Sequence, residues 1–235
     1  PEALKFISNA VQGGPYPTEP APAEAGSLIS ESEIESADVT GISLNILTPA
    51  DYSATTVEYP VLYLMHDPGA NAQANRVKTF SLLRNAMIAA KIPHSVVVEI
   101  NETLANDEKI DEIIAYVDGA YRTKDLRANR VIMGNGSLAL NALMLADDSD
   151  NFSDCFIFNA QLPDEGADVS GDVFYYVDGT DKSASFKGYE NLYLKIRNDG
   201  TDGYEYRVRQ GAESYQAFLN GLNESFSSLK ESLTR

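Results

Sequence analysis

The stretch over residues 130–143 constrains the fold more than any other part of the chain. A short apolar run over residues 131–133 leads into the tight turn Gly134-Asn135-Gly136, and an apolar helical stretch over residues 138–146 follows at once. A strand followed directly by a sharp turn and a helix is typical of α/β folds, in which the helix packs on the sheet that contains the strand. This is also the outline of a nucleophile elbow, in which a serine stands at the apex of a strained turn.

The rest of the chain alternates between apolar runs and helical patterns. Residues 34–48 alternate apolar and polar side chains with period two, which indicates a hairpin. Residues 59–66 are a nearly continuous apolar run, as in a strand buried on both faces of a parallel sheet, and residues 91–100 are predicted to contain the next buried strand. Further strands are predicted over residues 155–158, 173–177 and 204–209, and helices over residues 80–90, 107–121 and 214–229. The predicted fold class is α/β, a mostly parallel central sheet flanked by helices on both faces.

The distribution of proline and glycine predicts the domain organisation. Residues 1–30 carry repeated proline and glycine and are predicted to be an extended segment or linker. Residues 31–235 show no internal repeat and no second core, so they are predicted to form a single domain.

Composition excludes several classes of partner. With 35 acidic against 18 basic residues the net charge is −17, which would repel nucleic acid and anionic membranes. No run approaches the roughly 18 apolar residues of a membrane span. Cys155 is the only cysteine, so no internal disulfide can form. No glycine-rich nucleotide motif is present and no cofactor is expected.

Four segments together resemble a known family. They are Tyr59-Pro-Val-Leu-Tyr-Leu-Met-His, Ile88-Ala-Ala-Lys-Ile-Pro, Tyr116-Val-Asp-Gly-Ala-Tyr-Arg-Thr and Asn129-Arg-Val-Ile-Met-Gly. In this order and spacing they are similar to the esterase D-like family of α/β-hydrolases, which includes the feruloyl and acetylxylan esterases of carbohydrate esterase family one. The resemblance covers roughly residues 35–229 and implies an α/β-hydrolase fold with a Ser-Asp-His triad.

The triad positions implied by the resemblance are degenerate. Where the family has the serine of Gly-x-Ser-x-Gly, this chain has Gly136, and where it has the histidine, this chain has Ala212. The acid position corresponds to Asp181 or, as an alternative, Asp178. In the oxyanion loop Asp67-Pro68 replaces the family's glycines, and proline has no N–H to donate.

The loss of the base can be argued without the resemblance. A triad in an α/β-hydrolase runs serine, acid, histidine along the chain. The two histidines are His66 and His94, so none follows the elbow. Ser137 could be a shifted nucleophile, yet a serine hydroxyl without a base is a poor one, and Cys155 lacks a base for the same reason. The sequence therefore predicts no intact catalytic site.

No metal site is predicted either. The acidic stretches over residues 147–150 and 199–203 offer oxygen ligands for calcium, but neither has the twelve-residue spacing of an EF-hand. Solvated turns are the favoured interpretation of both, with calcium binding as the alternative. His66 and His94 are each expected to be packed or hydrogen-bonded at a strand boundary.

Function is accordingly predicted from the resemblance. Together with the missing nucleophile and base, it implies a catalytically inactive esterase-like module of a secreted, extracellular bacterial protein that degrades plant cell walls. The module would bind a polysaccharide or a protein partner, or serve as a scaffold; the alternative is a feruloyl or acetylxylan esterase with a non-standard site. The candidate binding residues beside the elbow are His66, Ser137, Asp181 and Tyr215. Thirteen tyrosines could also stack on sugars, with Tyr63, Tyr175 and Tyr176 near strands, but most tyrosines simply pack, and the absence of tryptophan weakens the case for a sugar.

Overall fold

The computed structural model describes residues 23–66, 69–104, 106–148, 150–198 and 203–235. Most of the predicted linker and both oxyanion-loop residues, Asp67 and Pro68, lie outside these ranges. The described residues form one eight-stranded sheet in the order β1-β2-β4-β3-β5-β6-β7-β8. Its strands are β1 Glu35–Val39, β2 Ile42–Leu47, β3 Val61–His66, β4 Val96–Ile100, β5 Arg130–Asn135, β6 Asp154–Phe158, β7 Phe174–Thr180 and β8 Tyr204–Arg209.

The sheet is mostly parallel, as the sequence predicted. Only the β1–β2 and β2–β4 pairs are antiparallel, and every pair from β4 through β8 is parallel. The hairpin expected over residues 34–48 is formed by β1 and β2. Because β3 to β8 run in the same direction, their carboxyl ends meet at one edge of the sheet, where α/β proteins place ligands.

Helices cover both faces of this sheet and divide the core into two layers. They are α1 Ala72–Ile88, α2 Asp107–Ala120, α3 Ala139–Asp148, α4 Phe186–Asn198, α5 Tyr215–Glu224 and α6 Phe226–Leu233. Side chains of α2, α3 and α4 pack on one face, and those of α1, α5 and α6 pack on the other. Successive residues of β3 alternate between the two layers, which explains why this strand is apolar throughout.

Two helices differ from the sequence prediction. Helix α4 was not predicted, because it buries only a narrow stripe through Tyr189, Leu192 and Ile196 among polar neighbours. The single terminal helix expected over residues 214–229 is two helices, separated at Ser225, whose hydroxyl donates to the Leu222 carbonyl at 2.8 Å. This local hydrogen bond satisfies a carbonyl at the end of α5 and lets the chain turn.

Residues 23–30 lie along α1 and α5. The Ala23 N–H donates to the Asn220 side chain at 2.7 Å, and the Ile29 N–H donates to the Ser81 hydroxyl at 3.0 Å. The Asn85 amide donates to carbonyls of this segment. Among the described helices none is long and apolar enough to cross a membrane.

Candidate functional site

The elbow stands at the carboxyl edge of the sheet, between β5 and α3. A single 3-10 turn, Gly136–Leu138, joins the two elements. A Cβ atom on Gly134 would lie 2.6 Å from the Ala139 Cα and 2.7 Å from the Ala142 Cβ. Glycine at position 134 is therefore required by the close approach of α3 to its own strand. Leu138 is 5% exposed and belongs to the core, so an apolar side chain fills the last position of the turn.

Gly136 has the geometry of an elbow apex without a nucleophile. Its φ is +63°, in the left-handed region that disfavours side chains, and a Cβ built on it would meet nothing within 4 Å. A side chain here would thus project into open space. The neighbouring Ser137 is exposed, and its hydroxyl makes no hydrogen bond with the described residues. It is a surface residue in the middle of the turn.

The two elbow glycines are expected to respond differently to alanine. Gly134→Ala should lower the free energy of unfolding by about 3 kcal/mol because the added methyl overlaps the α3 backbone. Gly136→Ala should cost only about 1 kcal/mol, for the left-handed φ alone. Urea unfolding followed by circular dichroism measures both. Gly119→Ala, in α2 with open space around the Cβ, is the control and should stabilise by about 0.5 kcal/mol. Equal losses at 134 and 136 would contradict this geometry.

The predicted acid and histidine positions lie on adjoining loops. The Asp181 N–H donates to the Arg209 carbonyl at 2.8 Å, and the Gly211 N–H donates to the Asp181 carboxylate at 2.8 Å. Ala212 follows directly and is exposed. The loop after β7 is thereby tied to the loop after β8, as a triad acid and its histidine would require. Asp181 has a carboxylate in place, but position 212 has no imidazole.

Asp178, the alternative acid position, has a structural partner. Its side chain is 1% exposed and accepts hydrogen bonds from the Nε and Nη2 of Arg209, which lie 2.8 Å and 2.7 Å from the two carboxylate oxygens. Arg209 also pairs with Glu224 at 2.8 Å. Burial raises the pKa of Asp178 to about 6, against the lowering effect of Arg209. This bidentate pair ties β8 to β7 inside the protein.

His66 is buried at the carboxyl end of β3. Its Nδ1 lies 3.3 Å from the Glu99 Oε1, and its ring stacks on Tyr215 and Phe218, with centroids 6.0 Å and 5.1 Å away. Its Nε2 is buried without a hydrogen-bond partner among the described residues. His66 and Tyr215, both candidate binding residues, are thus brought together. Asn135, which precedes the apex, is the Cα partner of His66 in the neighbouring strand.

Sequence reasoning missed the buried group around Glu99. This carboxylate is fully buried on β4 and interacts with Arg76 of α1 as well as with the Asn45 amide, which donates at 3.0 Å. The one available signal was a glutamate inside the apolar run over residues 96–100. A buried carboxylate requires partners, but the run gives no indication of which ones they are.

His94 lies at the opposite edge of the sheet. It precedes β4, whereas the elbow follows the parallel strand β5. Its Nδ1 lies 2.8 Å from the Asp51 carboxylate. Cys155 is fully buried, and burial raises the pKa of its thiol. Neither residue can therefore supply a base or a nucleophile to the elbow.

The tyrosines singled out as sugar-stacking candidates are placed in the core. Tyr63, Tyr175 and Tyr176 are each 0% exposed, so these three rings pack in the core and cannot stack on a sugar. Their aromatic rings fill the layers on either side of the sheet, because a strand buried on both faces exposes neither set of side chains.

No metal cluster is present in the described ranges, where no three histidine, cysteine, aspartate or glutamate side chains converge. The acidic stretches over 147–150 and 199–203 fall partly outside those ranges. The interpretation of both stretches as solvated turns, with calcium binding as the alternative, stays a prediction.

Fold and elbow together define the class: an α/β-hydrolase fold. At the sequence level neither a family model nor a curated protein matches the chain. Among solved structures it is similar to a ferulic acid esterase, with a TM-score of 0.71 and 18% identity, over 85% of this chain and 97% of that one.

Two further solved structures have the same architecture. A feruloyl esterase module from Clostridium thermocellum, complexed with sinapinate, gives a TM-score of 0.63 at 14% identity, covering 92% of this chain and 90% of that one. The enterobactin esterase of Shigella flexneri gives a TM-score of 0.75 at 16% identity, covering 92% of this chain but only 63% of that one. At identities this low, the structural similarity shows the shared fold alone.

Proposed function

We propose that this protein is a catalytically inactive esterase-like module. The observation that carries the proposal is Gly136: it occupies the apex of the elbow with a left-handed φ of +63° and open space at its Cβ position, but it has no nucleophilic side chain. Acyl transfer by this fold needs a hydroxyl at that point and a base to take its proton.

The base is missing as well. Ala212 stands on the loop tied to Asp181, and no histidine follows residue 94. His66 is directed to Glu99 and enclosed by two aromatic rings, and His94 belongs to the other edge of the sheet. Loss of nucleophile and base together leaves little beyond background hydrolysis.

The proposal predicts that the purified protein hydrolyses neither p-nitrophenyl acetate nor methyl ferulate faster than a heat-denatured sample. A fluorophosphonate probe should leave Ser137 unlabelled, as read by mass spectrometry of the intact protein. Ser137→Ala serves as the control and should behave like the unmodified chain. Turnover that disappears in Ser137→Ala would overturn the proposal.

The biological role proposed with it is binding, within a secreted, extracellular, multi-modular protein of bacterial origin that degrades plant cell walls. Similarity of fold to two feruloyl esterases supports this role. The partner would be a neutral polysaccharide or another protein of the assembly. Calorimetry and affinity electrophoresis with xylan, arabinoxylan and cellulose test it, and the absence of binding to all three would favour a scaffold role.

A second candidate is an esterase with a non-standard site. The pair of Glu99 and His66 favours it, because a carboxylate holds Nδ1 while Nε2 has no partner among the described residues. This is the arrangement that orients a general base. Hydrolysis of methyl ferulate that falls at least roughly 100-fold in His66→Gln, but not in His94→Gln, would establish this candidate.

A further inference from the structure

The main chain of residues 23–30 is held by side chains of two helices, and we call this segment the strap. The Ala23 N–H donates to the Asn220 side chain at 2.7 Å, and the Gln216 amide donates to the Ala23 carbonyl at 2.9 Å. Both of these side chains belong to α5. On α1, the Asn85 amide donates to two carbonyls of the strap at 2.5 Å and 2.9 Å. The strap therefore links α1 to α5.

The strap is attached in a way that allows it to leave while the sheet stays folded. Among the described residues no backbone–backbone hydrogen bond joins it to the sheet, to α1 or to α5. Ala23 and Ile29 pack against the core but are only partly buried, and Leu28 is 61% exposed. A segment with few buried apolar contacts and with exposed hydrogen bonds opens at a lower free energy than the core beneath it.

The strap is bound next to the two side chains that cover His66. Gln216 and Asn220, which hold the strap, lie on either side of Phe218 on α5, and Tyr215 directly precedes Gln216. The rings of Tyr215 and Phe218 stack on His66, which is 0% exposed. The part of α5 that covers the imidazole is thus the part that the strap ties to α1.

We propose that the strap is a releasable clamp that holds α5 over His66 and controls access to its Nε2. With the strap bound, α5 is fixed to α1 and the imidazole is closed off from solvent. With the strap released, the first turns of α5 lose this link, and the Nε2, which has no partner among the described residues, becomes accessible. The inference goes beyond the proposed inactivity and does not depend on it.

Two variants release the strap from opposite sides. Gly26 has a φ of +72°, and a Cβ on it would lie 2.9 Å from the Asn85 Nδ2, so Gly26→Val introduces a β-branched side chain where neither the backbone nor the space allows it. Asn85→Ala/Asn220→Ala removes the helix side chains that hold the strap. In both variants the Ile29 N–H, which donates to the Ser81 hydroxyl at 3.0 Å, should lose its protection from hydrogen exchange.

Diethyl pyrocarbonate, which modifies neutral imidazole, measures access to His66 by peptide mass spectrometry. In the unmodified protein it should react with His94, whose side chain is 38% exposed, and not with His66. In both release variants His66 should react within roughly 10-fold of the rate of His94, as expected for a local opening. Cys155, fully buried in the other core layer, reports global unfolding through a thiol reagent. It should stay unlabelled over the same period, because unfolding the whole domain costs about 5 kcal/mol or more.

Gly41→Val is the matched control. Gly41 also has a left-handed φ, +88°, but it lies in the turn between β1 and β2 with open space at its Cβ position. This variant introduces the same kind of backbone strain without touching the strap, so His66 should remain unreactive. Circular dichroism confirms that each variant is folded.

Four outcomes would overturn the proposal. They are an unreactive His66 in folded variants whose Ile29 N–H exchanges freely, an Ile29 N–H that stays fully protected in both release variants, a reactive His66 in Gly41→Val or in the unmodified protein, and equal rates at His66 and Cys155. The proposed inactivity is measured by ester hydrolysis, so a failure of one proposal is distinguishable from a failure of the other.

Discussion

The double variant Gly136→Ser/Ala212→His is expected to become a fluorophosphonate-reactive hydrolase. The serine would occupy the apex, where a Cβ meets nothing within 4 Å, at a cost of about 1 kcal/mol for its left-handed φ. The histidine would stand on the loop that Asp181 already holds through the Gly211 N–H. We expect covalent labelling by the probe and hydrolysis of p-nitrophenyl acetate roughly 100-fold above the unmodified chain, the lower end of what a positioned base contributes.

Each single variant is the control for this experiment. Members of a triad act as a unit, so Gly136→Ser or Ala212→His alone should remain at background. The variant Gly136→Ala/Ala212→His has the imidazole without a hydroxyl, so it should show neither probe labelling nor hydrolysis above background. Labelling of Ser137, or equal activity in that last variant, would contradict the assignment of Gly136 as the apex. A folded but unreactive double variant would contradict the pairing of positions 136 and 212.

Arg209→Met is expected to be the most destabilising of the charge substitutions. It removes every hydrogen bond from Arg209 to Asp178 and leaves a carboxylate that is 1% exposed without its bidentate partner. Breaking a buried pair from one side costs about 3 kcal/mol or more. Urea unfolding at pH 8 measures the loss. Arg207→Met is the control: its side chain is 37% exposed and pairs with Glu205 and Glu224, so about 1 kcal/mol is expected.

The loss in Arg209→Met should depend on pH in a definite direction. The pKa of Asp178 is raised to about 6 in the folded protein, above its ordinary value of 3.8. The folded state therefore binds the proton more tightly, and this contribution to stability is full at low pH and is lost as pH rises through 6. Without Arg209, which lowers it, this pKa rises further. The charge responsible for the loss is then neutralised on acidification, and the difference between variant and unmodified protein should shrink to about 1 kcal/mol at pH 5.

An equal loss at pH 5 and pH 8 would contradict the raised pKa, because it would mean that Asp178 stays ionised throughout. The double variant Asp178→Asn/Arg209→Met separates the two explanations. It has no titrating carboxylate at this position, so at pH 8 its free energy of unfolding should be higher than that of Arg209→Met and closer to that of the unmodified protein.

Much of the fold could be predicted from hydrophobic periodicity. The runs that become β3, β4 and β5 are apolar because helices cover both of their faces, and this requirement is visible in the residues themselves. Helix α4 could not be predicted in the same way, since a stripe of three buried side chains is a weak signal. Its Gly188 further obscures the pattern, although a Cβ there would lie 2.4 Å from the Pro163 carbonyl oxygen.

The candidate site was predicted only in part. The two glycines of the elbow look alike in sequence, but they are required for different reasons. Gly134 is required by its close contact with α3, whereas Gly136 is favoured by its left-handed φ and has open space at its Cβ position. The three tyrosines near predicted strands are buried, while Tyr193 of α4, which no motif contains, packs against Tyr204 and Tyr206 at the β8 edge of the sheet.

The sequence by itself determined the alternation of strands and helices, because each element has its own local pattern of apolar residues. It also determined that no histidine follows residue 94, because the order of residues along the chain is read directly from it. Only the tertiary structure decided that Asp181 meets the loop of Ala212, that Arg209 holds Asp178 and that Glu99 holds His66. These pairs join residues 30 to 33 positions apart. These partners are determined by the parallel register of the strands and by the free-energy cost of leaving a buried charge unpaired. Neither can be predicted from a local sequence pattern.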